Sequence, residues 1–221
     1  MESTTVKIID TAPVTHNVKR FRLEKPGGLS YIPGQAAELS VNKPGWEEER
    51  RPFTITSLHT DDYLEFTIKI YPEHHGVTEQ LGKLSVGDEL IVHEPFGTIS
   101  YKGPGVFIAA GTGITPFISI LRHLKQGQPP AHTTLLFANR TERDIILRDE
   151  LTAFPGMIYY DILSEADIPG QPKHIGQELL KKFAQRPGEY YYICGPDPFV
   201  AEAIENLKAL GVPEDRLVFE Q

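Results

Sequence analysis

Cysteine is almost absent: the 221 residues hold one, Cys194. A single thiol forms no disulfide framework, no cysteine-rich zinc site and no four-ligand iron–sulfur cluster. A lone thiol suits a reducing compartment. Long apolar runs are absent too. The longest, such as residues 106–110, fall far short of the ~20 residues that a membrane-spanning helix needs. The first twenty residues carry neither a basic start nor an apolar stretch, so no signal peptide is expected. Positive charge is in deficit. A net −8 argues against general nucleic-acid binding, which needs a basic face, although a local basic patch stays compatible with it. The expectation is a cytoplasmic chain that engages neither membrane nor nucleic acid.

Several catalytic signatures are missing as well. No Gly-x-Ser-x-Gly elbow occurs. Eight histidines are present, but none in a His-Glu-x-x-His arrangement, and His74-His75 reads as a solvated loop; no metal site is expected. No Walker lysine follows Gly111 or Gly113, which removes phosphoryl transfer. Glu47-Glu48-Glu49-Arg50 reads as a solvated loop rather than a catalytic carboxylate pair.

What is present is ordinary globular material, 40% hydrophobic and 24% charged, enough for one large domain or two small ones. The first hundred residues read as all-β. Residues 18–23 and 64–70 alternate with period two, the mark of strands with one buried face. Pro26-Gly27-Gly28, Pro33-Gly34, Pro44-Gly45 and Pro95-Phe96-Gly97 punctuate the strands, and a short helix is expected over 78–84. Short strands at regular spacing suggest a barrel or sandwich. After Tyr101-Lys102-Gly103-Pro104-Gly105 the pattern changes. Buried strands are expected at 106–110 and 134–138, and further strands at 157–163, 190–194 and 216–219. Helices are expected at 115–124, around 145–153, at 177–183 and at 198–210. Alternating β and α elements imply a parallel sheet covered on both faces. The domains are set at 1–102 and 103–221.

Four segments carry candidate chemistry. Arg51-Pro52-Phe53-Thr54 opens a strand and offers a forked cation, an aromatic face on the same side and a hydroxyl; the alternative is an edge arginine and a core phenylalanine. Gly76-Val77-Thr78 starts the short helix, where amides can bind an anion; the alternative is a plain N-cap at Thr78. Gly111-Thr112-Gly113-Ile114-Thr115-Pro116 follows a buried strand and precedes a helix, the setting of a phosphate-binding turn, although the third glycine of the dinucleotide fingerprint is missing. Cys194-Gly195-Pro196-Asp197-Pro198-Phe199 leaves another parallel strand, its thiol facing the same crevice as the glycine-rich turn. The alternative is a cysteine acting as a small hydrophobe.

These segments, in this order across a β half and an α/β half, resemble the ferredoxin–NADP reductase superfamily, and the resemblance covers essentially the whole chain. It implies an antiparallel six-stranded barrel for FAD and a parallel-sheet domain for NAD(P)H. Arg51 would bind the FAD pyrophosphate, with Pro52 beside it. Phe53, where the family usually has tyrosine, would flank the isoalloxazine, and Thr54 would hydrogen-bond near flavin N5. Lys69, Ile70 and Tyr71 would face the pyrimidine edge or the adenine side, and Gly76, Val77 and Thr78 would hold the phosphates. Gly111, Thr112, Gly113 and Thr115 would line the NAD(P) pyrophosphate and nicotinamide path, with Asn139 and Arg140 at the adenosine ribose. Cys194 would lie near nicotinamide C4, and Gly195, Pro196, Asp197 and Phe199 would shape that pocket. Glu220 is a candidate for the proton path and Phe219 for a flavin contact. Thr54, Cys194 and Glu220 form the candidate catalytic set.

The implied mechanism passes hydride from NAD(P)H to the flavin and then releases electrons singly. Asn139-Arg140-Thr141 is compatible with either nucleotide: an arginine there can take a 2′-phosphate, while the same segment looks like that of NADH-using cytochrome b5 and nitrate reductase flavin modules. With a single cysteine there is no ferredoxin domain on the chain, so electrons must leave to a separate acceptor. The leading expectation is a flavodoxin or ferredoxin reductase, with a cytochrome-like carrier also in view. The alternatives are a reductase of free flavin or a small quinone, an electron-relay subunit of a larger complex, and a non-enzymatic nucleotide-binding module. A monomer is the expected state.

Overall fold

The computed structural model describes residues 3–97, 99–127, 133–184 and 188–220. It divides into two compact units, Met1–Gly97 and Thr98–Gln221.

The first unit is a six-stranded antiparallel sheet: β1 (Thr4–Pro13), β2 (Val18–Glu24), β3 (Ala36–Val41), β4 (Arg51–Thr54), β5 (Tyr63–Lys69) and β6 (Glu89–Phe96), in the order β4-β3-β6-β1-β2-β5. The segment after β4 returns the sheet onto itself. Ile55 bridges Phe66, and the Thr56 N–H donates to the Glu65 carbonyl at 2.8 Å, so the two edges meet as in a barrel. Closure removes the unpaired edges of an open sheet. Phe21, Leu23, Leu39, Ile55, Leu64 and Phe66 fill the interior. Helix α1 (Val77–Lys83) plugs it with Val77 and Leu81. The Lys19 ammonium donates to the Gly82 and Leu84 carbonyls at the end of α1, a cation matched to the negative end of a helix.

Two strand expectations change. In β2 the buried residues are Val18, Phe21 and Leu23, so the alternation slips once. β5 is buried on both faces rather than one, from Leu64 through Ile68. Its second face is polar: the Thr67 hydroxyl is buried without a partner, but the charged group, Glu65, is bonded. The Glu65 carboxylate accepts from Arg22 Nε at 2.9 Å and from the Thr56 hydroxyl at 3.1 Å.

The second unit is a five-stranded parallel sheet: β7 (Gly105–Ala110), β8 (Thr134–Asn139), β9 (Ile158–Leu163), β10 (Tyr190–Cys194) and β11 (Leu217–Phe219), in the order β11-β10-β7-β8-β9. Tyr101 stacks on Tyr192, whose hydroxyl accepts the Lys102 and Gly103 N–H groups at 2.9 and 3.0 Å, so residues 101–103 are fastened to this unit. Helix α2 (Thr115–Gln126) covers one face, with Phe117 meeting Phe107 edge-on. α4 (Gln177–Leu180) and α5 (Asp197–Ala209) cover the other, packing on Val106, Ile108, Leu136, Ile162 and Ile193.

The helix expected around 145–153 is shorter. Thr141 and Asp144 close a capping box over a single 3-10 turn, Glu142–Asp144. Leu147 then takes a left-handed φ of 51°, and α3 is Arg148–Thr152. A left-handed residue ends helical propagation, which periodicity alone does not reveal.

Candidate functional site

In the first unit, Arg51, Pro52 and Phe53 of β4, Tyr71 and His74 of the turn after β5, and Gly76, Val77 and Thr78 at the head of α1 line one cavity of about 360 Å³. Two strand ends and a helix start, distant in sequence, thus converge. Arg51 is exposed, donates to the Arg50 carbonyl at 2.6 Å and lies 3.7 Å from Glu49, so its fork is held loosely at the surface. α1 begins at Val77, with Gly76 as its cap residue and no side-chain capping bond. Thr78 is therefore not the N-cap, and the plain-capping alternative fails. The first amides of a helix lack an intrahelical acceptor.

The sequence reading missed His74. It sits in the 3-10 turn Pro72–His74 and stacks on Tyr71 with ring centres 4.9 Å apart and planes 6° from parallel. Side chains three apart eclipse in such a turn. The signal was the Tyr-Pro-x-His spacing, and the loop reading of His74-His75 passed over it. Lys69 places its ammonium 5.2 Å from the Tyr71 ring centre. Thr54 is half-buried and paired to Ala36. Ile70 packs against the barrel core. Thr54, Lys69 and Ile70 do not line the cavity.

In the second unit, Gly111–Ile114 forms a 3-10 turn from the end of β7 into α2. Gly111 has φ +53° and open space around its missing Cβ. Gly113 is constrained differently: a Cβ there would lie 2.2 Å from the Cys194 carbonyl oxygen and 2.6 Å from the Gly195 nitrogen. The turn after β7 and the turn after β10 are therefore in backbone contact. β7 and β10 are also where the sheet order reverses, the place at which open α/β sheets take ligands. Thr112 is half-buried in the turn, and the Thr115 hydroxyl donates to its carbonyl at 2.9 Å.

Cys194, Gly195 and Asp197 share a cleft of about 440 Å³ with Val200, Phe219 and Glu220. Burial, with the Glu220 charge adding to it, pushes the Cys194 thiol up to about 12, so it stays protonated at neutral pH. Pro196 caps α5. Phe199 packs beneath Gly195, where a Cβ would meet its ring at 2.7 Å. Pro196 and Phe199 support the cleft without lining it.

At the end of β8, Asn139 is 8% exposed, and neither its amide oxygen nor its amide nitrogen has a partner. A buried unsatisfied amide costs on the order of 1–3 kcal/mol unless something binds it. Arg140, beside it, is exposed and bonded to Glu165, with Nε at 2.7 Å from Oε1. Among the described residues no cluster of three or more His, Cys, Asp or Glu could hold a metal ion, and no helix is long and apolar enough to cross a membrane.

Comparison with known proteins gives these features a family. Residues 5–101 match the oxidoreductase FAD-binding domain, and residues 107–205 the oxidoreductase NAD-binding domain. The chain is 30% identical to the reductase component of propane 2-monooxygenase from Rhodococcus jostii, over 95% of its own length and 60% of that protein. It thus spans less than two thirds of that relative. It is 30% identical to NADH-cytochrome b5 reductase 1 of Bos taurus, over 93% of its length and 81% of that protein. A ferredoxin NADP+ reductase from Neisseria gonorrhoeae, solved with bound FAD and NADP, shares the fold. The TM-score is 0.87 at 20% identity, covering 100% of this chain and 98% of that one. The cofactors are FAD and a nicotinamide dinucleotide. The chain belongs to the ferredoxin–NADP reductase superfamily of FAD- and NAD(P)H-dependent oxidoreductases.

Proposed function

We propose that the chain takes reducing equivalents from NAD(P)H onto FAD and hands them singly to a separate protein acceptor. The observation that carries this reading is the cavity shared by Arg51, Phe53, Tyr71 and the head of α1, which unites a phosphate-binding fork, flat aromatic faces and unspent amides. That donor set fits a flavin dinucleotide. FAD, when bound, supplies the conversion of a two-electron donor into one-electron steps.

The protein's part is placement. Arg51 and the amides of Gly76, Val77 and Thr78 hold the pyrophosphate. Phe53 would stack on the flavin ring and Tyr71, backed by His74, would frame the remainder, while Thr54, Lys69 and Ile70, outside the cavity lining, would serve the N5 edge and the flanks of the site from beside it. In the second unit Gly111, Thr112, Gly113 and Thr115 admit the dinucleotide backbone. The open space beside Gly111, where nothing lies within 4 Å of a Cβ position, and the orphaned Asn139 amide both fit such a ligand. Asn139 and Arg140 take the adenosine ribose. Cys194 presents a neutral thiol to the nicotinamide and acts through shape, and Gly195, Pro196, Asp197 and Phe199 fix that shape. Glu220, at the rim of the cleft, stands on the proton path. Orientation of this kind is worth several kcal/mol of a barrier.

A protein acceptor is favoured because the two relatives are named for one: an oxygenase system and cytochrome b5. Flavodoxin and ferredoxin remain acceptors of the same class. The chain acts in the cytoplasm as a monomer. The test is steady-state reduction of cytochrome b5, ferredoxin, flavodoxin and free FMN with NADH or NADPH as donor. Saturable reduction of one protein, slowed by salt as acidic carriers leave a patch including Arg50, Arg51 and Lys69, is expected. Fast FMN reduction with no salt effect and no protein reduced would overturn the acceptor assignment.

A further inference from the structure

The parallel ladder between β8 and β9 continues beyond both strands. The Ser164 N–H donates to the Asn139 carbonyl at 3.0 Å, and the Glu165 N–H to the Arg140 carbonyl at 2.9 Å. Backbone register therefore sets Glu165 beside Arg140. The side chains complete the pair, with Arg140 Nε at 2.7 Å and Nη2 at 2.6 Å from the same Glu165 oxygen. At 77% and 47% exposure, the pair adds little stability. Its consequence is for what can bind there.

A 2′-phosphate brings between one and two negative charges and is best held by an open guanidinium fork. Here two donors of that fork are directed at a carboxylate, and the pair is neutral. Two further cations near β9 and its following loop are matched as well, Arg148 by Asp161 at 2.7 Å and Lys173 by Asp167 at 3.1 Å. A phosphate would have to displace Glu165 and then sit beside its charge. A ribose 2′-hydroxyl meets the opposite situation, because a carboxylate accepts its hydrogen bond.

We infer that Glu165, by occupying Arg140, makes the second unit select NADH over NADPH. This rests on the placement of the adenosine ribose at the end of β8. The test uses the FAD-loaded protein and two probes, 5′-ADP and 2′,5′-ADP, titrated by calorimetry, alongside anaerobic flavin reduction by NADH and by NADPH. The wild type binds 5′-ADP more tightly. Glu165→Gln opens the fork and moves the ratio toward 2′,5′-ADP by about tenfold, the scale of one charge-assisted hydrogen bond, and the gain shrinks as salt is raised. Asp167→Asn removes an equal charge from the same loop and leaves the ratio in place.

Preference of the wild type for 2′,5′-ADP overturns the inference. So does a ratio that Glu165→Gln leaves unchanged, or one that Asp167→Asn moves equally. In those cases the flavin still bleaches and the reductase reading stands. If neither probe binds and neither nucleotide bleaches the flavin, the reductase reading itself falls, and the inference with it.

Discussion

The two glycines of the turn after β7 should fail for different reasons when replaced by alanine. At Gly113 the added carbon would lie 2.2 Å from the Cys194 carbonyl oxygen and 2.4 Å from its carbon. An ordinary contact needs ~3.5 Å, so the turn and the end of β10 must part by about an ångström. Both partners are backbone anchored in one sheet, and no side-chain rotation relieves the overlap. Overpacking costs roughly 1–3 kcal/mol where side chains can give, so this site belongs at or above the top of that range. For a chain of this size about 3 kcal/mol lowers the melting temperature by roughly 6–12 °C. At Gly111 nothing lies within 4 Å, and the cost comes from φ +53° alone. A β-carbon in that conformation costs about 1–2 kcal/mol, and asparagine less. Thermal melts of Gly113→Ala, Gly111→Ala and Gly111→Asn should rank in that order of damage. NAD+ titrations should show Gly113→Ala losing nucleotide affinity while flavin binding persists. Equal melting temperatures for Gly113→Ala and the wild type, with nucleotide binding intact, would refute the backbone contact between the two turns.

If Arg51 holds the FAD pyrophosphate as proposed, Arg51→Ala should raise flavin release measured by ultrafiltration about tenfold, for a loss near 1.5 kcal/mol. Phe53→Tyr restores the hydroxyl the family usually carries, and flavin affinity should tighten by up to ~1 kcal/mol; weaker binding would count against Phe53 facing the flavin. The Cys194 thiol is raised from its usual 9.0 to about 12, mainly by burial. The folded state then holds its proton where the unfolded chain has released it. That contribution is intact below about pH 9 and lost as pH climbs toward 12. Urea titrations of wild type and Cys194→Ala at about pH 8 and about pH 10.5 should show the wild type losing more stability. Glu65→Ala leaves Arg22 without its carboxylate and Thr56 without its acceptor, and urea denaturation should show a loss of about 2–3 kcal/mol.

Elements with a strong local signal were legible in the sequence. The run at 106–110 and the proline-bearing turn into α2 declare a buried strand and a helix start. The ordered set of loops at residues 51, 76, 111 and 194 points to two ligand-binding units. What stayed hidden was decided by partners distant in the chain. β5 is buried on both faces because Arg22 and Thr56 satisfy Glu65, and neither is its neighbour in sequence. The break before α3 comes from one left-handed leucine, a residue type without turn propensity. His74 looked like a solvated loop residue because its stacking partner shows only once the 3-10 turn forms. Glu165 drew no attention because its meaning depends on a strand register that brings it across to Arg140. Gly113 was picked out for its motif, but the reason it must be glycine, the Cys194 carbonyl, is a contact between turns separated by most of the second unit.

The most direct measurement is an absorbance spectrum of the purified protein, followed by anaerobic addition of NADH and, separately, NADPH. Two cofactor-binding units acting together predict a flavin spectrum that bleaches on stoichiometric nucleotide, with NADH the more effective donor. A colourless protein that takes up no added FAD and oxidises neither nucleotide would contradict the account, leaving the fold without the reaction.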